Sequence, residues 1–149
     1  MLFRSLQELT RRLGANSIPR PGNRALTVEE LRQMSQSPCI TIGGHTITHN
    51  MLSAEPEDIQ RHEIVGSKAR LEEILEKPVT TFSYPFGAER DYTEKTVDIV
   101  KTAGYIKAAT TSVGLVDERV SSMLIPRNGM PFYPRTQKIS RHLRKLWYC

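Results

Sequence analysis

Ile40-Thr41-Ile42-Gly43-Gly44-His45-Thr46-Ile47-Thr48-His49 joins a strand-like apolar run to two imidazoles four residues apart. Neutral imidazole nitrogens bind Zn²⁺ at about 2.0–2.1 Å in a roughly tetrahedral shell. An i, i+4 pair can aim both rings at one point from a helix, or from a strand end that turns into a loop. The β-branched residues and the glycine pair favour the second setting, so the stretch predicts a strand over 39–42 followed by a ligand loop. A metalloprotease helix would place Glu beside the first histidine as its general base. Thr46 stands there, which argues against peptide hydrolysis of that kind. On spacing alone, two solvated or capping histidines account for the pair equally well.

The stretches around this segment alternate. Leu2, Phe3, Leu6, Leu9 and Leu13 predict an amphipathic helix over 2–13, ended by Gly14. Residues 18–23 are turn-rich, so residues 1–24 are expected to form a helix and connector ahead of the main domain, 25–149. Thr27 and Glu30 form a capping box for a helix to about Gln36. A long helix is expected from Glu55 to Glu76, with an apolar stripe of Ile59, Ile64, Leu71, Ile74 and Leu75, stopped by Pro78. Thr80–Tyr84 reads as a strand that runs into Tyr84-Pro85-Phe86-Gly87. Asp91 is expected to cap a helix with Val97, Val100 and Ala103 inward and Gly104 as its stop. Strands follow over 105–110 and 122–125, then a basic helix over 137–147. Strands alternating with helices imply an α/β fold with a parallel sheet.

Composition narrows the classes. The chain has 149 residues, 38% hydrophobic and 25% charged, enough for one core and short for two. No apolar run approaches the roughly 20 residues of a transmembrane helix, and no leader pattern is seen at Met1. Cys39 and Cys149 make no disulfide framework, which suits a cytoplasmic location as the default expectation. The net charge of +5 sits at the two ends, in Arg4, Arg11, Arg12, Arg20 and Arg24 and in Arg135, Lys138, Arg141, Arg144 and Lys145. Such stripes usually form a solvated helix face, and the aromatic interleaving of single-strand binders is missing. A nucleic-acid partner is therefore not expected.

Three segments together resemble one family, the polysaccharide deacetylases (NodB-homology, carbohydrate esterase family 4). Residues 43–53 are similar to its second motif, with His45 and His49 in the places of metal ligands. Phe82-Ser83-Tyr84-Pro85-Phe86-Gly87 is similar to its third motif, and Ile125-Pro126-Arg127 to a later segment of one branch. The resemblance covers roughly residues 25–130. It implies the C-terminal portion of a distorted (β/α)7-type barrel with its site at the C-terminal ends of the strands. It further implies an acetylated carbohydrate substrate, N- or O-deacetylation, and a divalent metal, expected to be zinc. Phe86 would supply a backbone N–H to the oxyanion. Tyr84, Pro85, Phe86 and Arg127 would touch substrate.

The family's first motif, two adjacent aspartates giving the base and the third metal ligand, has no counterpart. The first aspartate in the chain is Asp58, and the acids before the histidines are Glu8, Glu29 and Glu30, all in helical segments. The third-motif arginine of many relatives aligns with Ser83, and His142 falls on the basic helix. The pattern predicts a domain whose first barrel strand lies elsewhere, so the chain is expected to be one piece of a split enzyme, an inactive remnant or a non-catalytic glycan binder. A separate N-terminal fragment completing the barrel is the partner this implies.

Overall fold

The computed structural model describes Arg12 and residues 24–129. The expected helices over 2–13 and 137–147 and most of the basic stripes lie outside the described residues. Thr27 is extended, its hydroxyl accepts the Glu30 N–H at 3.2 Å, and the Glu30 carboxylate accepts the Thr27 N–H at 2.8 Å. The predicted capping box thus opens α1 (Val28–Met34).

Helix α2 (Glu57–Leu75) starts after Pro56, and Glu76 ends it in the left-handed region at φ 53°. Glu57 and Asp58 in the first turn suit the positive end of its dipole. Its buried side differs from the expected apolar stripe. Ile59 is 38% exposed, whereas Gln60, Glu63 and Ser67 are buried beside Ile64 and Leu75. The polar members meet loops and a neighbouring helix that offer hydrogen-bonding groups. Gln60, for example, donates to the Glu55 carbonyl at 2.9 Å and accepts the Thr96 hydroxyl at 2.6 Å.

Strands β1 (Thr81–Ser83) and β2 (Lys107–Ala109) pair in parallel, with Phe82 opposite Ala108. Single parallel bridges extend the ladder on both sides, Gly44 to Phe82 and Ala109 to Ile125. The ladder therefore runs in sequential order: the expected strands near 80–84 and 105–110 are present in shorter form, Ile125 of the expected strand over 122–125 forms a single rung, and Gly44 forms the other. This order, with α2 between the Gly44 rung and β1, α-helix Glu94–Thr102 between β1 and β2, and a loop before the Ile125 rung, is the progression of a (β/α) unit series at its first two steps.

The first rung lies further along than expected. Residues 39–42 form no strand, Cys39 is exposed, and Gly44 makes the pairing instead. Its N–H donates to the Thr81 carbonyl and its carbonyl accepts the Ser83 N–H, both at 2.9 Å. A Cβ on Gly44 would lie 2.1 Å from the Tyr105 hydroxyl, so only glycine lets the backbone come this close.

Helix α3 (Glu94–Thr102) is capped by Thr93, not by Asp91. Thr93 sits directly before the helix with extended angles, and its hydroxyl accepts the Thr96 N–H at 3.3 Å. Asp91 closes a 3₁₀ turn (Glu89–Asp91) by accepting the Ala88 N–H at 2.8 Å. The inner face is Thr96, Ile99 and Val100, with Val97 and Ala103 at its margin. Gly104, at φ 87°, ends the helix as expected. Helices α1 and α3 pack on α2, and the core between helices and ladder holds Ile64, Val79, Phe82, Tyr84, Val100 and Tyr105.

Candidate active site

The Gly44 rung places His45 at the C-terminal end of the ladder. His45 Nδ1 lies 2.6 Å from the Ser83 carbonyl oxygen, at the end of β1. A carbonyl can only accept, so Nδ1 carries the proton and donates it, leaving Nε2 as the ring's lone-pair nitrogen. Metal-ligating histidines are commonly oriented by such a bond.

His49 faces His45, with ring centroids 4.8 Å apart at 75°. The chain makes the return by placing two non-glycine residues in the left-handed region, Thr46 at φ 64° and His49 at φ 60°. A β-branched residue there is a genuine outlier. The Thr46 hydroxyl offsets part of the strain by accepting the His49 N–H at 3.1 Å. From outside the loop, the Glu63 carboxylate accepts the Ile47 and Thr48 N–H groups and the Thr48 hydroxyl, each at 2.8 Å. Burial opposes the charged form of Glu63. The Thr48 and Ile47 bonds outweigh it and hold the carboxyl below its usual range.

On the other side stands the Tyr84–Gly87 turn. Gly87 N–H donates to the Pro85 carbonyl at 2.6 Å, which makes Phe86, at φ 59°, the centre of a γ-turn with positive φ, a rare and strained form. The Phe86 ring is 54% exposed and meets His49 edge to face, centroids 4.9 Å apart. Its backbone N–H has no acceptor among the described residues. The turn is held by Thr111, whose hydroxyl donates to the Phe86 carbonyl and whose N–H donates to that of Gly87, both at 2.9 Å.

Tyr84 and Pro85 take a different place from the one expected of substrate contacts. Tyr84 is 1% exposed, its ring stacks on Tyr92 at 4.5 Å, and its hydroxyl donates to the Met123 carbonyl at 3.1 Å. Pro85 is fully buried. Strand alternation turns Phe82 and Tyr84 to the same inward face, and Pro85 is buried in the turn that follows the strand. The accessible aromatic face is that of Phe86. Arg127 bonds backbone, its Nε donating to the Thr110 carbonyl at 2.7 Å and its N–H to that of Ser112 at 3.0 Å. His62 is exposed on α2, and His142 lies outside the described residues.

Among the described residues no third His, Cys, Asp or Glu joins His45 and His49 as a ligand group. Two convergent imidazoles, one already tautomer-fixed, suit a divalent metal as part of a ligand set.

The sequence matches the family model described as polysaccharide deacetylase over residues 11–108. The chain belongs to that family. Solved structures agree on the fold. A Streptococcus pyogenes deacetylase, PplD, solved in complex with acetate, superposes with a TM-score of 0.65 at 24% identity, over 72% of this chain and 46% of its own. A Bacillus cereus polysaccharide deacetylase, BC0361, gives 0.60 at 30% identity, over 69% of this chain and 32% of its own. The IcaB protein of Ammonifex degensii gives 0.65 at 21% identity, over 77% and 52%. The chain thus spans between about a third and about half the length of those relatives. No curated protein matches its sequence. No helix among the described residues is long and apolar enough to cross a membrane.

Sequence reasoning missed Glu63. Its signal was its place between Gln60, Ile64 and Ser67 on the inward side of α2, where a lone carboxylate needs several donors.

Proposed function

We propose that this chain carries the two-histidine and oxyanion portion of a divalent-metal-dependent carbohydrate deacetylase that hydrolyses N- or O-acetyl groups on sugars. The observation that carries it is the convergence of His45, His49 and Phe86 at the end of the parallel ladder. His45, through Nε2, and His49 would hold a divalent metal, with zinc the expectation that the family resemblance carries. Such a metal polarises a carbonyl and lowers the pKa of bound water toward ~7.

The chain's own residues supply binding and orientation. The Phe86 ring offers a flat apolar face for a sugar ring beside the histidines. As water adds to the acetyl carbon, the carbonyl oxygen becomes an oxyanion, and the Phe86 N–H is the donor placed to receive it. Losing one such donor costs about 2.7–4 kcal/mol of transition-state stabilisation. The C–N or C–O bond then breaks, the nitrogen or oxygen takes a proton, and acetate leaves. The acetate held by the S. pyogenes relative is the product this reaction would release. The base and the third ligand are carboxylates that these residues do not assign, and a separate segment contributing them would complete the barrel.

The test is zinc binding by the purified chain, with acetate release from acetylated oligosaccharides, for wild type, His45→Ala and His49→Ala. Zinc binding should fall in both variants, and acetate release from the chain alone should be slight. Zinc binding indifferent to both substitutions would sink the assignment. Glycan binding without acetate release, retained in both variants, would select the alternative, a non-catalytic glycan binder using the exposed Phe86 face.

A further inference from the structure

The seat of the histidine loop is a carboxylate with no obvious structural task. Glu63 is 5% exposed and no Lys or Arg pairs with it among the described residues. A buried carboxylate without a cation is costly unless hydrogen bonds satisfy it. All three of its donors, the Ile47 N–H, the Thr48 N–H and the Thr48 hydroxyl, lie between the two histidines. One turn further along α2, Gly66 admits the Ile47 side chain: a Cβ there would fall 2.8 Å from Ile47 Cδ1. Glu63 and Gly66, three residues apart, therefore form one face shaped to this loop.

The loop needs such a seat. Ile47 and Thr48 are flanked by the two left-handed residues, Thr46 and His49, and strained backbone persists only where its surroundings over-determine it. His45 is fixed independently by Ser83, whereas no ring bond fixes His49 among the described residues. We infer that Glu63 is the positioning residue of the histidine pair: it holds Ile47 and Thr48 so that the chain turns back and the His49 ring meets that of His45. The inference rests on reading His45 and His49 as metal ligands, but its core claim is about loop geometry and is measurable without metal.

The test compares the full chain with Glu63→Gln, Thr48→Val and Glu72→Gln. Glu72 serves as control because it accepts Lys68 and the Val79 N–H at the far end of the same helix. Three readouts are taken: amide exchange at Ile47 and Thr48, backbone couplings reporting φ at Thr46 and His49, and Co²⁺ affinity from its absorption spectrum. In Glu63→Gln the two amides should exchange at least about tenfold faster, the couplings should leave the values of positive φ, and Co²⁺ affinity should drop about 10–100-fold. Thr48→Val removes one donor and should give the same changes in smaller measure. Glu72→Gln should lower the melting temperature and leave all three readouts alone. Unchanged exchange and couplings in Glu63→Gln would overturn the inference, as would equal changes in Glu72→Gln. A wild-type chain that takes up no Co²⁺ would defeat the metal reading, while exchange and couplings still decide the positioning role.

Discussion

The Ser83 carbonyl accepts the ring proton of His45 at 2.6 Å, and this contact joins the end of β1 to the candidate metal site. It predicts that neutral His45 is the Nδ1–H tautomer. Long-range ¹H–¹⁵N spectra of the metal-free chain should show this pattern for His45. An Nε2–H tautomer would mean that the wrong nitrogen is presented and would remove His45 from the ligand set.

Gly44→Ala should destabilise the chain by at least about 1–3 kcal/mol, the usual cost of overpacking a filled site. The added Cβ would meet Tyr105 Oη at 2.1 Å, Cζ at 2.8 Å and Phe82 Cδ2 at 3.2 Å. Urea unfolding measures it. Tyr105→Phe in the same chain removes the nearest of these atoms and should recover part of the loss. A Gly44→Ala chain as stable as wild type would refute the close approach.

Phe86→Ala and Tyr84→Phe separate the two aromatic residues of the turn. The Phe86 ring is mostly exposed, so its loss should change stability by no more than about 0.5 kcal/mol while weakening oligosaccharide binding. Tyr84→Phe deletes a buried hydrogen bond to Met123 and should cost about 0.5–1.5 kcal/mol with glycan binding unchanged. Calorimetric titration with acetylated oligosaccharides reads both. The reverse pattern would restore Tyr84 as the sugar contact.

Glu63 gives a pH signature. Its carboxyl lies below the ordinary value of 4.5 in the folded chain, so the unfolded state takes up its proton first as pH falls. The stabilisation is present in full above about pH 4.5 and is lost as pH drops through the folded value. The stability gap between wild type and Glu63→Gln should therefore be widest near neutrality and narrow as the pH falls below the ordinary carboxylate value. A gap independent of pH in urea titrations would show that the carboxylate charge contributes nothing.

The elements legible in the sequence were those with local signals. The Thr27–Glu30 capping box, the long helix before Pro78, the Gly104 stop and the parallel alternation all follow from residues close in sequence. The His45–His49 pair became legible only when its spacing was joined to the resemblance of residues 43–53 and 82–87, and the structure brings the rings together. What escaped was decided by distant partners. Residues 39–42 have strand composition, but the rung falls at Gly44 because Tyr105 and Phe82 leave room only for a backbone without Cβ. Tyr84 looks like a surface platform until Tyr92 and Met123 enclose it. Thr93 displaced Asp91 as cap because register, not residue type, selects between two good capping residues.

The sequential ladder also ranks its closures by entropic cost. Its rungs close loops of roughly 15 residues for Ala109–Ile125, 25 for β1–β2 and 40 for Gly44–Phe82, and closure entropy rises with loop length. The last of these is held, like the Ile125 rung, by two backbone bonds at a single residue. On closure entropy alone the segment bearing His45 carries the largest cost of docking, offset by the bonds of His45 to Ser83 and of Ile47 and Thr48 to Glu63. Anything that bridges His45 and His49 would therefore also act as a fastener for the longest-range closure of the ladder.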